Sequence, residues 1–180
     1  VHAAPIPERL NGPGGVAWPL LDYDALALEV NADLFVEWLP KAADVRIDDA
    51  ARARWEKVRD GLIVKALGFP RALTIRDYHA ENLLWLPERE GVQRVGLLDF
   101  QDALWGDCSY DLVSLLQDAR RDVPPELARD MRQLYLSLTK QPKELFDTRY
   151  AILGAQRNLK IIGIFMRLNK RDSKPHYLNY

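Results

Sequence analysis

Helical spacing runs through most of these 180 residues and breaks once, over residues 71–98, where three short β-rich runs stand together. A helix places its apolar residues every three or four positions and a half-buried strand alternates them, so a change of period marks a change of structure. Before the break, the segment 22–39 sets Leu28, Ala32, Phe35 and Leu39 along one stripe. A second helix is expected over 48–67, opened by Asp48-Asp49 and closed by Gly68 and Pro70. After the break, helices are expected over 109–121, over 125–139 behind Pro124-Pro125, and over 143–169. The β-rich runs are 71–75, 83–86 and 92–98, the last two joined by the turn-like stretch Pro87-Glu88-Arg89-Glu90-Gly91. Residues 1–20 hold Pro5, Pro7, Pro13 and Pro19 together with Gly12, Gly14 and Gly15, and read as an irregular approach segment. The resulting fold class is α+β, mostly helical, with a small antiparallel β insert. So few strands do not make a parallel nucleotide-binding sheet.

Composition narrows the function classes. With 48% hydrophobic and 28% charged residues the chain is neither fibrous nor of the disordered type. A formal net charge of −1 recommends neither nucleic acid nor an anionic membrane as partner. The single cysteine, Cys108, allows no internal disulfide and no thiolate metal cage, and reads as an inert small residue. No apolar run approaches the roughly 18 residues of a membrane-spanning helix. The opening Val1-His2-Ala3-Ala4-Pro5 does not read as a signal peptide, so a cytoplasmic location is expected.

Chemistry-bearing residues gather inside the β insert. Thr74-Ile75-Arg76-Asp77-Tyr78-His79-Ala80-Glu81-Asn82 precedes one strand, and Asp99 follows the next in Leu97-Leu98-Asp99-Phe100-Gln101-Asp102. Pairing those strands through the Pro87–Gly91 turn brings Asn82 and Asp99 to the same edge, because the ends of a hairpin lie close together. Phosphoryl transfer to a hydroxyl needs a carboxylate to orient and deprotonate the nucleophile, and oxygen ligands to hold magnesium on the phosphates. Asp77 suits the first role, and Asn82 with Asp99 suits the second.

The order Arg76-Asp77-x-x-x-x-Asn82 followed by Asp99-Phe100 resembles the catalytic loop and metal motif of protein-kinase-like enzymes. Asp77-Tyr78-His79-Ala80-Glu81-Asn82, with its histidine two places after the aspartate, is similar to the aminoglycoside phosphotransferase branch. Asp99-Phe100-Gln101-Asp102-Ala103, Gly106 and Tyr110-Asp111-Leu112-Val113 extend the likeness. Val1-His2-Ala3-Ala4-Pro5, Leu34-Phe35-Val36-Glu37-Trp38 and Gly154-Ala155-Gln156-Arg157-Asn158-Leu159-Lys160 resemble bacterial kinases of the anomeric hydroxyl of N-acetylmuramate and N-acetylglucosamine. Ile75 stands where the family often has histidine, and Gln101 where protein kinases have glycine; neither change removes a reacting group.

The resemblance implies ATP and Mg²⁺ as cofactors and a small hydroxyl compound as acceptor. An amino sugar is the first choice; an aminoglycoside or a choline- or homoserine-like molecule follows, and a catalytically silent binding lobe is the alternative outside catalysis. His79 is either a phosphate-facing donor or a link within the loop. Asp111, at the start of a helix, is implied to brace the catalytic loop. Asp102, Trp105, Arg157 and Lys160 are the remaining candidates for the acceptor site. Trp105 is placed in the loop after Asp99 as a stacking residue, while Trp38, Trp55 and Trp85 are placed in the core. The stripe Glu29/Asp33/Glu37 reads as a solvated helix face, and Asp102 as a backbone cap in its loop. No β-rich lobe with a phosphate-binding lysine precedes the loop, and Asn11-Gly12-Pro13-Gly14-Gly15 is not a P-loop. Residues 1–180 are therefore expected to be the C-terminal, catalytic-loop lobe of a two-lobed kinase, with the nucleotide lobe outside this chain.

Overall fold

The computed structural model describes residue 2 and residues 9–180. The chain divides into two compact units: Val1–Tyr23 with Pro70–Tyr150, and Asp24–Phe69 with Ala151–Tyr180.

The second unit is helical. Asp24 starts α1 (Ala25–Ala43) by accepting the Ala27 N–H at 2.8 Å, and Asp48 starts α2 (Asp49–Leu67) by accepting the Ala51 N–H at 2.6 Å. The first helix runs through Pro40 for one further turn and ends on Asp44 in a left-handed conformation, four residues later than its apolar stripe suggested. Here the carbonyl of Pro40 accepts from Asp44 and Val45, so its missing N–H falls where the helix is already ending. Leu28, Ala32 and Val36 of α1 are buried, as are Ile63 of α2 and Leu153 and Phe165 of α5 (Lys143–Asp172). Gly163 on α5 is forced by packing. A Cβ there would lie 2.4 Å from the Leu34 carbonyl carbon, so the two helix backbones meet without a side chain between them.

The stripe Glu29/Asp33/Glu37 is solvent-accessible, with side chains 44%, 35% and 52% exposed, but it is also paired. Arg59 of α2, its side chain 9% exposed, pairs with Glu29 at 3.1 Å and Asp33 at 2.5 Å, and Trp55 donates to Asp33 at 2.8 Å. Glu37 pairs with Lys41, one turn on. The acidic stripe joins helix to helix, which alternation of charge along one helix cannot reveal.

Among the described residues, the strands all lie in the first unit. Arg9–Asn11 (β1) and Ala17–Pro19 (β2) form a hairpin through a 3₁₀ turn at Pro13–Gly15, where an irregular segment was expected. Pro5 and Pro7 lie outside the described residues. Ala72–Thr74 (β3) pairs antiparallel with Leu104–Gly106 (β6), and Leu83–Trp85 (β4) pairs antiparallel with Val95–Leu97 (β5). Among the described residues the strands thus form three separate two-stranded ladders. Residues 92–94, read as the start of a strand, belong to the 3₁₀ turn Gly91–Arg94 instead. β6 is too short to show a period, and it moves Trp105 out of the loop and into a strand. Gly106 has its place there because a Cβ would fall 2.8 Å from the Thr74 hydroxyl. Trp85 is no core residue: it is 65% exposed, with the Arg94 guanidinium over its ring.

Behind the ladders, α3 (Ser109–Leu116), α4 (Pro125–Thr139) and the first turns of α5 enclose a core of Val113, Phe146 and Tyr150. The first of these helices stops at Leu116 rather than 121, and the residues after it turn back onto the loop described next.

Candidate active site

The β4–β5 register pairs Leu83 with Leu97, and one step further the Leu98 N–H donates to the Asn82 carbonyl at 2.9 Å. Asn82 and Asp99 therefore leave the hairpin side by side, as hairpin pairing requires. The backbone then folds the preceding loop onto the same end. The Asp77 carbonyl accepts the His79 N–H at 3.0 Å, and the His79 carbonyl accepts the Asn82 N–H at 3.0 Å. The side-chain amide of Asn82 donates to the Asp77 carbonyl at 2.9 Å and lies 3.3 Å from His79 Nε2. Asp77, His79, Asn82 and Asp99 are thus brought to one end of one hairpin.

Donor chemistry decides what Asn82 offers. Its NH₂ group donates to the Asp77 carbonyl and lies 3.3 Å from the His79 ring nitrogen Nε2. That orientation leaves Asn82 Oδ1, a hard oxygen, for a cation. Among the described residues, the Asp77 and Asp99 carboxylates have no side-chain partner. No group of three or more His, Cys, Asp or Glu among the described residues is arranged to hold a metal. One amide oxygen and one carboxylate fit Mg²⁺ that draws its other ligands from water and phosphate, and do not fit a closed protein cage. His79 itself is buried, 8% exposed.

Two residues of this region hold positive φ: Arg76 at 71° and Asp99 at 49°. Left-handed backbone at a residue with a Cβ costs about 1–2 kcal/mol, so something must hold it. At Arg76 the restraints are visible. Its N–H donates to Asp111 Oδ1 at 2.9 Å, the Ile75 N–H donates to Asp111 Oδ2 at 2.8 Å, and the Ser114 hydroxyl donates to the Arg76 carbonyl at 3.1 Å. His2 Nε2 adds a contact to Asp111 Oδ2 at 3.2 Å. The bracing by Asp111 is present as the resemblance implied. Burial and the Asp111 charge hold the Tyr78 phenol above its ordinary range.

The acceptor-side candidates are more scattered. Trp105, half-buried in β6, uses its backbone to pair with Leu21 and Tyr23, and the Tyr23 ring lies under the Arg76 guanidinium at 5.5 Å. Asp102 is exposed in the turn after Asp99. Arg157, a candidate for the acceptor site, is 3% exposed on α5 in the second unit; Lys160, also on α5, is half-buried.

Three features escaped the sequence. Ser114 and Asp118 follow Asp111 at three and seven residues, and both are buried and bond the loop backbone. Ser114 within the apolar run Leu112–Leu116, and Asp118 four residues on, were the available signal. Asp107 and Arg149 form a buried ion pair at 2.7 Å, to which Cys108 adds a sulfur contact from Arg149 at 3.1 Å. Distance in sequence hides that pair.

The sequence model of the phosphotransferase enzyme family matches residues 1–146. A protein of Caulobacter vibrioides named N-acetylmuramate/N-acetylglucosamine kinase is 45% identical over 181 residues, covering 100% of this chain and 50% of its own length. Proteins of the same name in Pseudomonas aeruginosa and Neisseria meningitidis are each 36% identical, covering 91% and 90% of this chain and 49% and 51% of their own lengths. The chain spans about half the length of the curated relatives it matches. With the family's residues spread over both the loop and the helices behind it, the chain belongs to the phosphotransferase enzyme family.

Proposed function

We propose that this chain supplies the catalytic loop of an ATP-dependent kinase that phosphorylates a hydroxyl of an amino sugar. The observation that carries this reading is the convergence of Asp77, Asn82 and Asp99 at one end of the β4–β5 hairpin, with Asn82 Oδ1 turned away from its amide's two partners. Asp77 accepts the proton of the acceptor hydroxyl as that oxygen attacks the γ-phosphorus, and ADP departs with the electron pair of the broken P–O bond. Asn82 and Asp99 would hold Mg²⁺, which when bound neutralises charge on the phosphates. His79 keeps the Asn82 amide in orientation through its Nε2.

The relatives' names favour N-acetylmuramate or N-acetylglucosamine as acceptor over an aminoglycoside. The pairing of Glu29 and Asp33 with Arg59 favours the same choice, because it offsets part of the negative charge that a polycationic drug would seek. We assign the nucleotide-covering lobe to the half of the relatives' length that this chain does not span, and a cytoplasmic location to the whole, where ATP is available. Among the described residues no helix is long and apolar enough to cross a membrane.

The test is ATP consumption by the full-length protein with N-acetylmuramate, N-acetylglucosamine and a panel of aminoglycosides, the product phosphate being located by NMR. Turnover of an amino sugar, lost by at least 100-fold in Asp77→Asn and Asp99→Asn, is the expected result. Unchanged turnover in those variants overturns the role assignment.

A further inference from the structure

Two buried polar side chains of α3, Asp111 and Ser114, and a third just past its end, Asp118, all bond the backbone of the catalytic loop. Asp111, Ser114 and Asp118 are 2%, 0% and 7% exposed, and lie at and just beyond α3. Asp111 takes the amides of Ile75 and Arg76, and Ser114 bonds the Arg76 carbonyl. Those contacts fix the loop on the near side of Asp77. Asp118 acts on the far side: its Oδ2 accepts the Ala80 N–H at 3.4 Å, while Oδ1 accepts the Arg120 N–H at 3.1 Å. Arg120 in turn reaches Glu81 at 3.3 Å, so two successive loop residues are tied to one turn.

Ala80 opens the 3₁₀ turn Ala80–Asn82, and the last residue of that turn carries the amide assigned to the metal. A three-residue turn has little internal hydrogen bonding, so an outside acceptor on its first N–H sets where its last residue stands. A carboxylate is costly to bury unless its oxygens are bonded, and Asp118 uses both. We propose that Asp118 is a positioning residue for Asn82, setting metal affinity, while Asp111 sets the stance of Asp77. The proposal rests on the kinase reading above. It divides the loop into a proton-transfer half and a metal half, each held by its own carboxylate, one on α3 and one just past its end.

The experiment uses the full-length protein with Asp118→Asn and Asp118→Ala. An amide has one acceptor oxygen where the carboxylate has two, so Asp118→Asn keeps part of the contact and Asp118→Ala none. The expected result is a rise of at least fivefold in the Mg²⁺ concentration for half-maximal rate in Asp118→Ala, with a smaller rise in Asp118→Asn. The acceptor KM stays within twofold. Mn²⁺ affinity in the presence of a non-hydrolysable ATP analogue, read by electron paramagnetic resonance, weakens in parallel. Amide exchange across Ala80–Asn82 quickens. A fall in kcat with Mg²⁺ and Mn²⁺ dependence unchanged makes Asp118 merely structural and overturns the proposal. If Asp118→Ala does not fold, Asp118→Asn alone decides by the same two readouts. A wild type that phosphorylates no amino sugar defeats the kinase reading itself; the Mn²⁺ and exchange measurements then still decide whether Asp118 controls the metal half.

Discussion

The Asp111 carboxylate accepts the Ile75 N–H at 2.8 Å through one oxygen while its other oxygen takes the next amide, that of Arg76. Two parallel donors on one buried carboxylate make this position intolerant even of its amide. In Asp111→Asn an NH₂ group must face one of the two N–H groups, leaving a buried donor unsatisfied at a cost of about 1–3 kcal/mol. Because Arg76 is held at φ 71°, the released loop relaxes toward ordinary backbone and carries Asp77 with it. Asp111→Asn is expected to lower kcat by at least tenfold with a Mg²⁺ requirement close to that of the wild type. Steady-state kinetics at varied Mg²⁺, beside thermal denaturation, check this; an unchanged kcat would show that the loop keeps its stance without the brace.

How much of this was legible beforehand follows from the range of each interaction. The hairpin ends Asn82 and Asp99 were readable because a turn joins their strands locally, and α4 because Pro125 starts it and its period is clean. The β3–β6 pairing was not, since β6 is three residues long and about thirty positions from its partner. The pairing of the acidic stripe on α1 was hidden for the same reason: its partner Arg59 lies on another helix. Arg157 reads as a surface charge by residue type, and only tertiary packing makes it a buried one. In the site, Asp77, Asn82 and Asp99 are given by spacing, while the residues that hold the loop, Ser114 and Asp118, emerge only once α3 is seen against it.

The Asp107–Arg149 pair gives a second prediction. Both side chains are almost fully buried, 5% and 2% exposed, at a separation of 2.7 Å. Asp107 also accepts the Ser109 N–H at 2.8 Å, so the pair fixes the start of α3. Removing one buried charge strands the other, and such losses run to about 3–5 kcal/mol. Arg149→Met is expected to destabilise by that order, and Arg149→Met with Asp107→Asn by clearly less than the sum of the two single changes. A double-mutant cycle by denaturant unfolding measures the coupling; additive effects would mean that the pair contributes nothing as a pair.

Two glycines in helices should respond oppositely to alanine. Helix propensity alone favours alanine by about 1 kcal/mol. At Gly61 in α2 nothing lies within 4 Å of the added Cβ, so Gly61→Ala is expected to stabilise by about 0.5–1 kcal/mol. At Gly163 the Cβ would stand 2.5 Å from the Leu34 carbonyl oxygen, a backbone atom that cannot swing aside. Overpacking costs about 1–3 kcal/mol, which exceeds the propensity gain. Gly163→Ala is expected to lower the thermal midpoint and Gly61→Ala to raise it, and matching shifts of the same sign would disprove the close approach of α1 and α5.

The last prediction concerns alkaline pH. Tyr78, Tyr135 and Tyr150 have phenols raised above their ordinary value, in each case first by burial. Tyr135 is raised furthest, with Cys108 and the Asp107 charge adding to burial. In the unfolded chain these phenols ionise near pH 10. A group whose pKa is higher in the folded state leaves stability whole below the unfolded value and drains it as pH rises through that value, because the unfolded chain releases its proton first. Stability is therefore expected to be flat with respect to these groups up to about pH 9 and to fall steeply above about pH 10. Tyr135→Phe removes one proton from that balance, so its stability curve should fall less steeply than the wild type's above pH 10, whatever the offset at neutral pH. Denaturant midpoints across the alkaline range, with tyrosinate absorbance as the second probe, provide the measurement. Identical slopes in the two proteins would show that Tyr135 ionises as readily in the fold as in the open chain.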